Sequence, residues 1–340
     1  MTIELDSFLS AVPNVVVDRL RSARRVLTVS HENPDADTLG AALAIVRLVE
    51  SMGGVADPVC TDPPPSLYEF LPGVDRVRTD PDPAATYDLV VIVDCGSLER
   101  IGDVGARHAD LFAALPRMII DHHASNDAAG DADWIDPQAA ATCEMVALLA
   151  ARLGVDPAAW DHGLATNLMA GIVMDTATFA HPNATPRTLA ISAWLVAAGA
   201  PLSEISRRLY RSKPEAQLRL FGRILDRLES ADDGRIVWSS VTAADYSETG
   251  AEQAHSEGLI DLLSQAESAE VAVLFKEGGP RETRVSVRTR PGGVDATVLT
   301  GRFGGGGHAR AAGATVSAPL AEARPAVLAE ATRLAAAVDR

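Results

Sequence analysis

A chain of 340 residues is longer than one ordinary core and suits two domains of about 100–200 residues each. Its 47% hydrophobic and 22% charged content excludes a disordered protein, and its formal net charge of −16 excludes holding long nucleic acid by bulk phosphate neutralisation. No basic segment followed by an apolar block opens the chain, and no uncharged run approaches the roughly 18 residues of a membrane helix, so no membrane partner is expected and the cytoplasm is the expected compartment.

In chain order, the apolar run at 26–29 reads as a buried strand, followed by a polar loop and an amphipathic helix at about 38–52 that stops at Gly53-Gly54. The stretch TDPPPSLYEFLPG cannot be regular structure throughout. Runs at 89–93 and 118–120 read as two further buried strands. Such runs alternating with helical patterns indicate a parallel sheet covered on both faces. Helical sequence occupies 142–153 and 162–174, then 186–228 with breaks at Gly199-Ala200-Pro201 and Pro214. Beyond Asp232-Asp233-Gly234 strands dominate, at 236–241, 270–275 and 284–288, and a glycine cluster, GRFGGGGHARAAG, precedes a final Ala-rich helix. The fold class is α/β: a domain over 1–190 with a parallel sheet flanked by helices, a helical connection over 191–230, and a smaller α/β domain with a mixed sheet over 231–340. Cys60, Cys95 and Cys143 are far apart and odd in number, which reads as buried free thiols, not a disulfide framework or a zinc ribbon.

The three apolar runs of the first domain end alike. His31, Asp94 and Asp121 are the first ionisable residues beyond them, and ligands of open α/β sheets bind at the carboxyl ends of strands. SHENPDADTLG (30–40) also places Asp35 and Asp37 close enough to His31 to repel or to share a cation. Singly these residues have structural explanations: Asp37 fits a helix N-cap and Asp121 a turn. Asp175, expected at a helix C-terminus where the macrodipole disfavours a carboxylate, requires a cationic partner. Together His31, Asp35, Asp37, Asp94, Asp121, His122, His123 and Asp175 form an all-N/O donor set sufficient for two divalent cations. The mixture of imidazole and carboxylate favours Mn²⁺ over Mg²⁺. Two such ions about 3.5–4 Å apart clamp the attacking and leaving oxygens of an in-line phosphoryl displacement.

The second domain is locally basic between residues 281 and 310, with six arginines against Glu282 and Asp295. Gly304 to Gly307 suit close backbone approach to an anion, with His308 beside them, although a Gly-rich stretch alone is better read as a flexible turn.

These motifs carry a resemblance. HENPDAD, the strand end VVIVDCG, DHH at 121–123 and DT at 175–176 resemble the motifs of the DHH phosphoesterase superfamily, and GGGGHARAAG (304–313) resembles the phosphate-binding motif of the associated DHHA1 domain. Order and spacing agree over essentially the whole chain, and the short two-domain layout is most similar to the nanoRNase and pAp-phosphatase group. The resemblance implies that His31 and Asp35 ligate one ion and Asp37, His122 and Asp175 the other, with Asp94 bridging. His123 would face the scissile phosphate, Asp121 would orient the imidazoles, and a water activated by two metals would be the nucleophile. Arg288, Gly305, Gly306, Gly307 and His308 would bind substrate, leaving Arg281, Arg290 and Arg302 as a solvated face. Relatives commonly read DTGxFR where this chain reads DTATFA (175–180). The missing glycine and basic residue should spare metal binding and weaken a nucleotide contact. His108, His162, His181 and His255 lie outside every motif and read as surface or core residues.

The function implied is degradation of very short oligoribonucleotides to mononucleotides and dephosphorylation of 3′,5′-bisphosphate nucleotides such as pAp. The partners are then short RNA and small adenine nucleotides, not long nucleic acid, and a homodimer is compatible with the resemblance. Hydrolysis of cyclic di-AMP or pApA is the enzymatic alternative, separable by relative turnover. A non-catalytic nucleotide sensor should lose metal ligands, all of which are present here.

Overall fold

The computed structural model describes residues 5–155 and 163–338, and the chain divides into two compact units, Met1–Ser212 and Lys213–Arg340. The first runs α1 (Asn14–Ser22), β1 (Arg25–Val29), α2 (Ala36–Ser51), β2 (Val55–Val59), β3 (Leu89–Val93), α3 (Asp103–Arg107), α4 (Ala109–Ala114), β4 (Arg117–Asp121), β5 (Ala132–Ile135), α5 (Thr142–Arg152), α6 (Gly163–Asp175), α7 (Pro186–Ala197) and α8 (Leu202–Tyr210). Its five strands are all parallel, in the order β2-β1-β3-β4-β5. Side chains alternate between two apolar layers. Leu89, Val91 and Val93 pack with residues of α1, α2, α5 and α6, while Val90 and Ile92 pack with Val104 of α3 and Phe112 of α4.

The three central strands are those read from the sequence, because burial on both faces makes them continuously apolar. The two strands not read, β2 and β5, close the sheet's edges. β2 carries Asp57, paired with Arg25 at 2.7 Å, and Pro58, whose missing N–H an edge position tolerates. Helix α6 shows no amphipathic stripe, as it is buried on nearly every side. His162, expected to begin it, lies outside the described residues.

The second unit runs α9 (Glu215–Asp226), β6 (Glu229–Ala231), β7 (Ile236–Val241), α10 (Ala243–Thr249), α11 (Leu259–Leu263), β8 (Val271–Gly279), β9 (Glu282–Thr289), α12 (Ala296–Gly301), β10 (Gly306–His308), β11 (Ala311–Val316) and α13 (Leu320–Val338). Its six-stranded sheet has the order β10-β11-β9-β8-β7-β6 and is mixed, with β7 and β8 parallel and the other pairs antiparallel. The helices within 191–230 pack into both units. Ile191, Leu195, Ile205 and Leu209 are buried in the first unit's core, and Leu220, Phe221 and Ile224 in a core of the second. Part of the glycine cluster is strand, since β10 pairs with β11. The three cysteines are buried and free. No single helix among the described residues is long and apolar enough to cross a membrane.

Candidate functional site

In the strand order β2-β1-β3-β4-β5 the chain reverses direction between β1 and β3, the topological switch point where such sheets bind ligands. His31 follows β1, Asp94 follows β3, Asp121 ends β4, and His122 and His123 come next. Helix α2 starts at the same place. Asp35 is its N-cap, accepting the amides of Asp37 (2.9 Å) and Thr38 (3.1 Å), so the capping role foreseen for Asp37 belongs to Asp35. Asp37, fully buried, accepts the amides of Thr142 (2.7 Å) and Cys143 (2.9 Å), unsatisfied donors at the N-terminus of α5.

The side chains converge as two triads about one carboxylate. His31 Nε2 lies 3.6 Å from Asp94 Oδ2 and 3.9 Å from Asp35 Oδ2; His122 Nε2 lies 3.4 Å from Asp94 Oδ1 and 3.3 Å from Asp175 Oδ2. His31, Asp35 and Asp94 form one group able to hold a cation and Asp37, His122 and Asp175 another, the donor atoms of each group lying within 4.8 Å of one another. Two donors each about 2.1 Å from a common ion stand roughly 3–3.5 Å apart, close to the His122 separations. His31 Nδ1 lies 2.6 Å from the Glu32 carbonyl and His122 Nδ1 3.4 Å from that of Ala139, contacts that leave each Nε2 as the metal-facing donor. Asp94, His122 and His123 also fit a cation, but His123 Nδ1 is engaged by Asp121 Oδ1 at 2.7 Å, and Asn126 Nδ2 holds the other Asp121 oxygen at 2.7 Å.

The electrostatics call for positive charge. Burial, reinforced by the Asp94 and Asp35 carboxylates, pushes Asp37 up to about 7. Asp175 is driven well above the usual carboxylate range by burial and by Asp37 and Asp94, and Asp35 is raised for like reasons. His122, although burial opposes its charge, is raised to about 9 by Asp94 and Asp37. Burial also disfavours charge on Asp94, yet contacts from His122 and His31 outweigh it and hold this carboxylate low. Positive charge placed among these carboxylates would favour their ionised forms and oppose the shifts that burial and mutual repulsion impose. Asp175 ends α6 with His122 as the cationic partner its position demanded.

In the second unit Arg288, Ala311 and His308 stand in one row across β9, β11 and β10, so their side chains share a face with only a methyl between the guanidinium and the imidazole. Arg288 is also held by Asp261, Nε to Oδ1 2.8 Å. The glycines divide by role. A Cβ on Gly307 would lie 2.6 Å from the Ala311 carbonyl, and one on Gly305 would overlap the Gly313 carbonyl, so both are demanded by the turn's packing on β11. Gly306 faces open space. Arg290, read as solvated, donates to the Ala266 carbonyl at 3.0 Å.

The DHH family, N-terminal domain, matches residues 25–172, and the DHHA1 domain matches residues 234–337. A bifunctional oligoribonuclease and PAP phosphatase of Thermus thermophilus is 33% identical over 297 residues, spanning 86% of this chain and 84% of that protein. The chain belongs to the DHH family. A Bacillus subtilis protein of the same description is 27% identical over 84% of this DHH chain and 87% of its own length. An exopolyphosphatase-related protein of Bacteroides fragilis shares the fold, with a TM-score of 0.87, 20% identity and coverage of 96% and 98% of the two chains.

Several supporting residues of this DHH protein carry no ligand signal in the sequence. The Thr142 hydroxyl donates to Asp94 Oδ1 at 3.1 Å. Arg187 bridges Asp136 (2.9 Å) and buried Glu144 (2.6 Å), pinning the segment that presents the amides to Asp37. His181, read as peripheral, has Nδ1 3.1 Å from the Asp175 carbonyl, which Asn183 also meets at 3.2 Å. Gly171 lets α6 approach Asp37, for a Cβ there would overlap the Asp37 carboxylate. The departure at DTATFA has a backbone consequence: Ala177, Thr178 and Phe179 take φ of 47°, 58° and 63°, a left-handed run that disfavours side chains.

Proposed function

We propose that this DHH protein is a phosphohydrolase using two divalent cations, Mn²⁺ by donor chemistry, that degrades very short oligoribonucleotides to mononucleotides and converts pAp to AMP. The observation that carries the reading is the pair of donor groups, His31-Asp35-Asp94 and Asp37-His122-Asp175, set side by side with the Asp94 carboxylate reaching His31 of its own group at 3.6 Å and His122 of the other at 3.4 Å. His31 and Asp35 would hold one ion, Asp37, His122 and Asp175 the other, and Asp94 both. The bound ions would supply an acidified water and neutralise the phosphoryl oxygens. Asp121 orients His123 through Nδ1, so the imidazole presents Nε2 to the scissile phosphate and donates to its developing charge. Asn126 keeps the Asp121 carboxylate in place during this work. Arg288 and His308 bind a non-reacting phosphate, which raises the fraction of substrate correctly aligned. The relatives described as oligoribonucleases and PAP phosphatases support the substrate class.

The test is a panel of pAp, pApA, cyclic di-AMP and oligoribonucleotides of increasing length, with Mn²⁺ and with chelator, scored by product. Mononucleotide release from dimers and AMP from pAp, both abolished by chelator, are expected. Turnover of cyclic di-AMP alone would replace the substrate assignment, and metal-independent nucleotide binding without turnover would identify a sensor.

A further inference from the structure

One face of the second unit's sheet changes character half-way across. Ala272 and Leu274 of β8 are buried with Leu220, Ile224, Leu259 and Leu263. The rows they begin do not stay apolar. Leu274 is paired with Ser286 and then Gly313, and the next row runs Lys276, Arg284, Thr315. Directly opposed residues of antiparallel strands project from one face, so Lys276 and Arg284 are adjacent like charges, a destabilising arrangement unless an anion offsets it. Lys276 is half-buried with the Ser256 hydroxyl at 3.5 Å, and Arg284 reaches Glu282 at 3.3 Å while remaining exposed. Burial holds the Lys276 ammonium below its ordinary value; Glu257 opposes that shift and Arg284 adds to it.

Two hollows flank the pair. A smaller one of about 200 Å³ includes Glu257 and Glu277, the latter accepting the Ala243 amide at 2.9 Å. The other, of about 440 Å³, is open and contains Lys276, Arg284, Ser286, Gly304, Gly305 and Thr315 in its lining, with no carboxylate. Glu257 and Glu277 thus line the hollow on one side of the cations, while Glu282 meets Arg284 from its own strand. The other side offers the hydroxyls of Ser286 and Thr315 and open room beside Gly304 and Gly305, whose amides are already bonded to the Gly301 and Thr300 carbonyls.

We propose that Lys276 and Arg284, with the Ser286 hydroxyl, form a second anion subsite that takes a backbone phosphodiester of a single-stranded oligoribonucleotide. This rests on the reading of the protein as a short-RNA hydrolase and adds a specificity element to it. Arg284 and Arg288 are four residues apart on one strand, about 13 Å along the backbone, and each guanidinium is drawn to its own carboxylate, Glu282 and Asp261 respectively, which separates the two anion positions. A bisphosphate such as pAp has one phosphate reacting and one for Arg288 and His308, and none for the pair. A tetranucleotide has phosphates to spare. The subsite therefore favours three- and four-residue RNA over pAp.

The experiment compares the wild type with Lys276→Gln/Arg284→Gln, which keeps side-chain length, after an unshifted melting curve verifies the fold. The ratio of kcat/KM on a tetraribonucleotide to that on pAp should fall at least tenfold; an unchanged ratio overturns the proposal. Binding of a fluorescein-labelled tetraribonucleotide is also titrated against salt in chelator, which needs no turnover. Each phosphate contact contributes about 0.7 to the log–log slope for single strands, so the variant's slope should be shallower by about that amount. Equal slopes, or no wild-type binding, overturn the subsite. Absence of turnover of both substrates by the wild type, with the slope difference intact, would instead sink the hydrolase reading and leave the subsite standing.

Discussion

Replacing Gly171 by Ala sets two physical effects against each other inside α6. In an unhindered helix interior the change stabilises by about 1 kcal/mol, because Ala loses less backbone freedom than Gly. At Gly171 the added Cβ would overlap Asp37 Oδ1 and Cys143 Sγ and lie 2.8 Å from Cys143 Cβ. Asp37 cannot withdraw, as both its oxygens are held by amides of Thr142 and Cys143, and Cys143 belongs to the packed start of α5. Overpacking of this kind costs about 1–3 kcal/mol, and one atom pressed against two fixed elements belongs at the upper end. The net expectation is destabilisation of about 2 kcal/mol, together with at least tenfold weaker Mn²⁺ binding because the displaced carboxylate is a proposed ligand. Gly222 in α9 is the internal control: a Cβ there meets nothing within 4 Å, so Gly222→Ala should stabilise the second unit by about 1 kcal/mol. Urea denaturation followed by circular dichroism measures both changes, each on the transition of its own unit, and calorimetric titration measures Mn²⁺. A Gly171→Ala protein as stable as wild type, with unaltered Mn²⁺ affinity, would refute the packing of α6 against Asp37.

Three further outcomes follow from the geometry. Asp94→Ala removes the carboxylate that stands between His31 of one donor group and His122 of the other and should lower hydrolysis of every substrate by at least about 10²-fold, with Mn²⁺ stoichiometry falling in parallel; retained activity would contradict the proposed bridging role. Ala177→Gly places glycine at φ 47° and should stabilise the first unit by about 1 kcal/mol, read as a raised melting temperature, whereas destabilisation would contradict the left-handed turn. Arg288→Ala and His308→Ala should keep full metal content yet lose at least tenfold in kcat/KM on pAp, about 1.4 kcal/mol, and lose less on bis-p-nitrophenyl phosphate, which has no second phosphate; equal losses would remove the phosphate-anchor role.

The candidate donor cluster was legible because imidazoles and carboxylates placed directly after long apolar runs are anomalous in the sequence itself, and the family motifs repeat that anomaly at set spacing. The central strands were legible for a related reason, since burial on both faces writes itself as uninterrupted Val, Ile and Leu. Edge strands such as β2 have one side free of pairing, tolerate Asp and Pro, and leave no such trace. Which unit each helix of 191–230 joins was equally hidden, because an amphipathic stripe states that a helix packs and not against what.

Order and residue type along the chain by themselves determined the element types and the inventory of reactive groups, because hydrophobic periodicity and side-chain chemistry are local properties. Tertiary structure alone decided which group meets which. Asp35 and Asp37 are both competent caps in SHENPDADTLG, and the choice falls to Asp35 because the amides of α5, more than a hundred residues downstream, claim Asp37. Gly171 in α6 reads as an ordinary helical glycine until Asp37 is packed against it, and Gly305 as an anion loop until β11 arrives beneath it. Lys276 and Arg284 become a cationic pair only through the register of β8 on β9. Unsatisfied amides, buried charge and steric exclusion act across space whatever the distance along the chain, so these pairings exist only once the chain has folded.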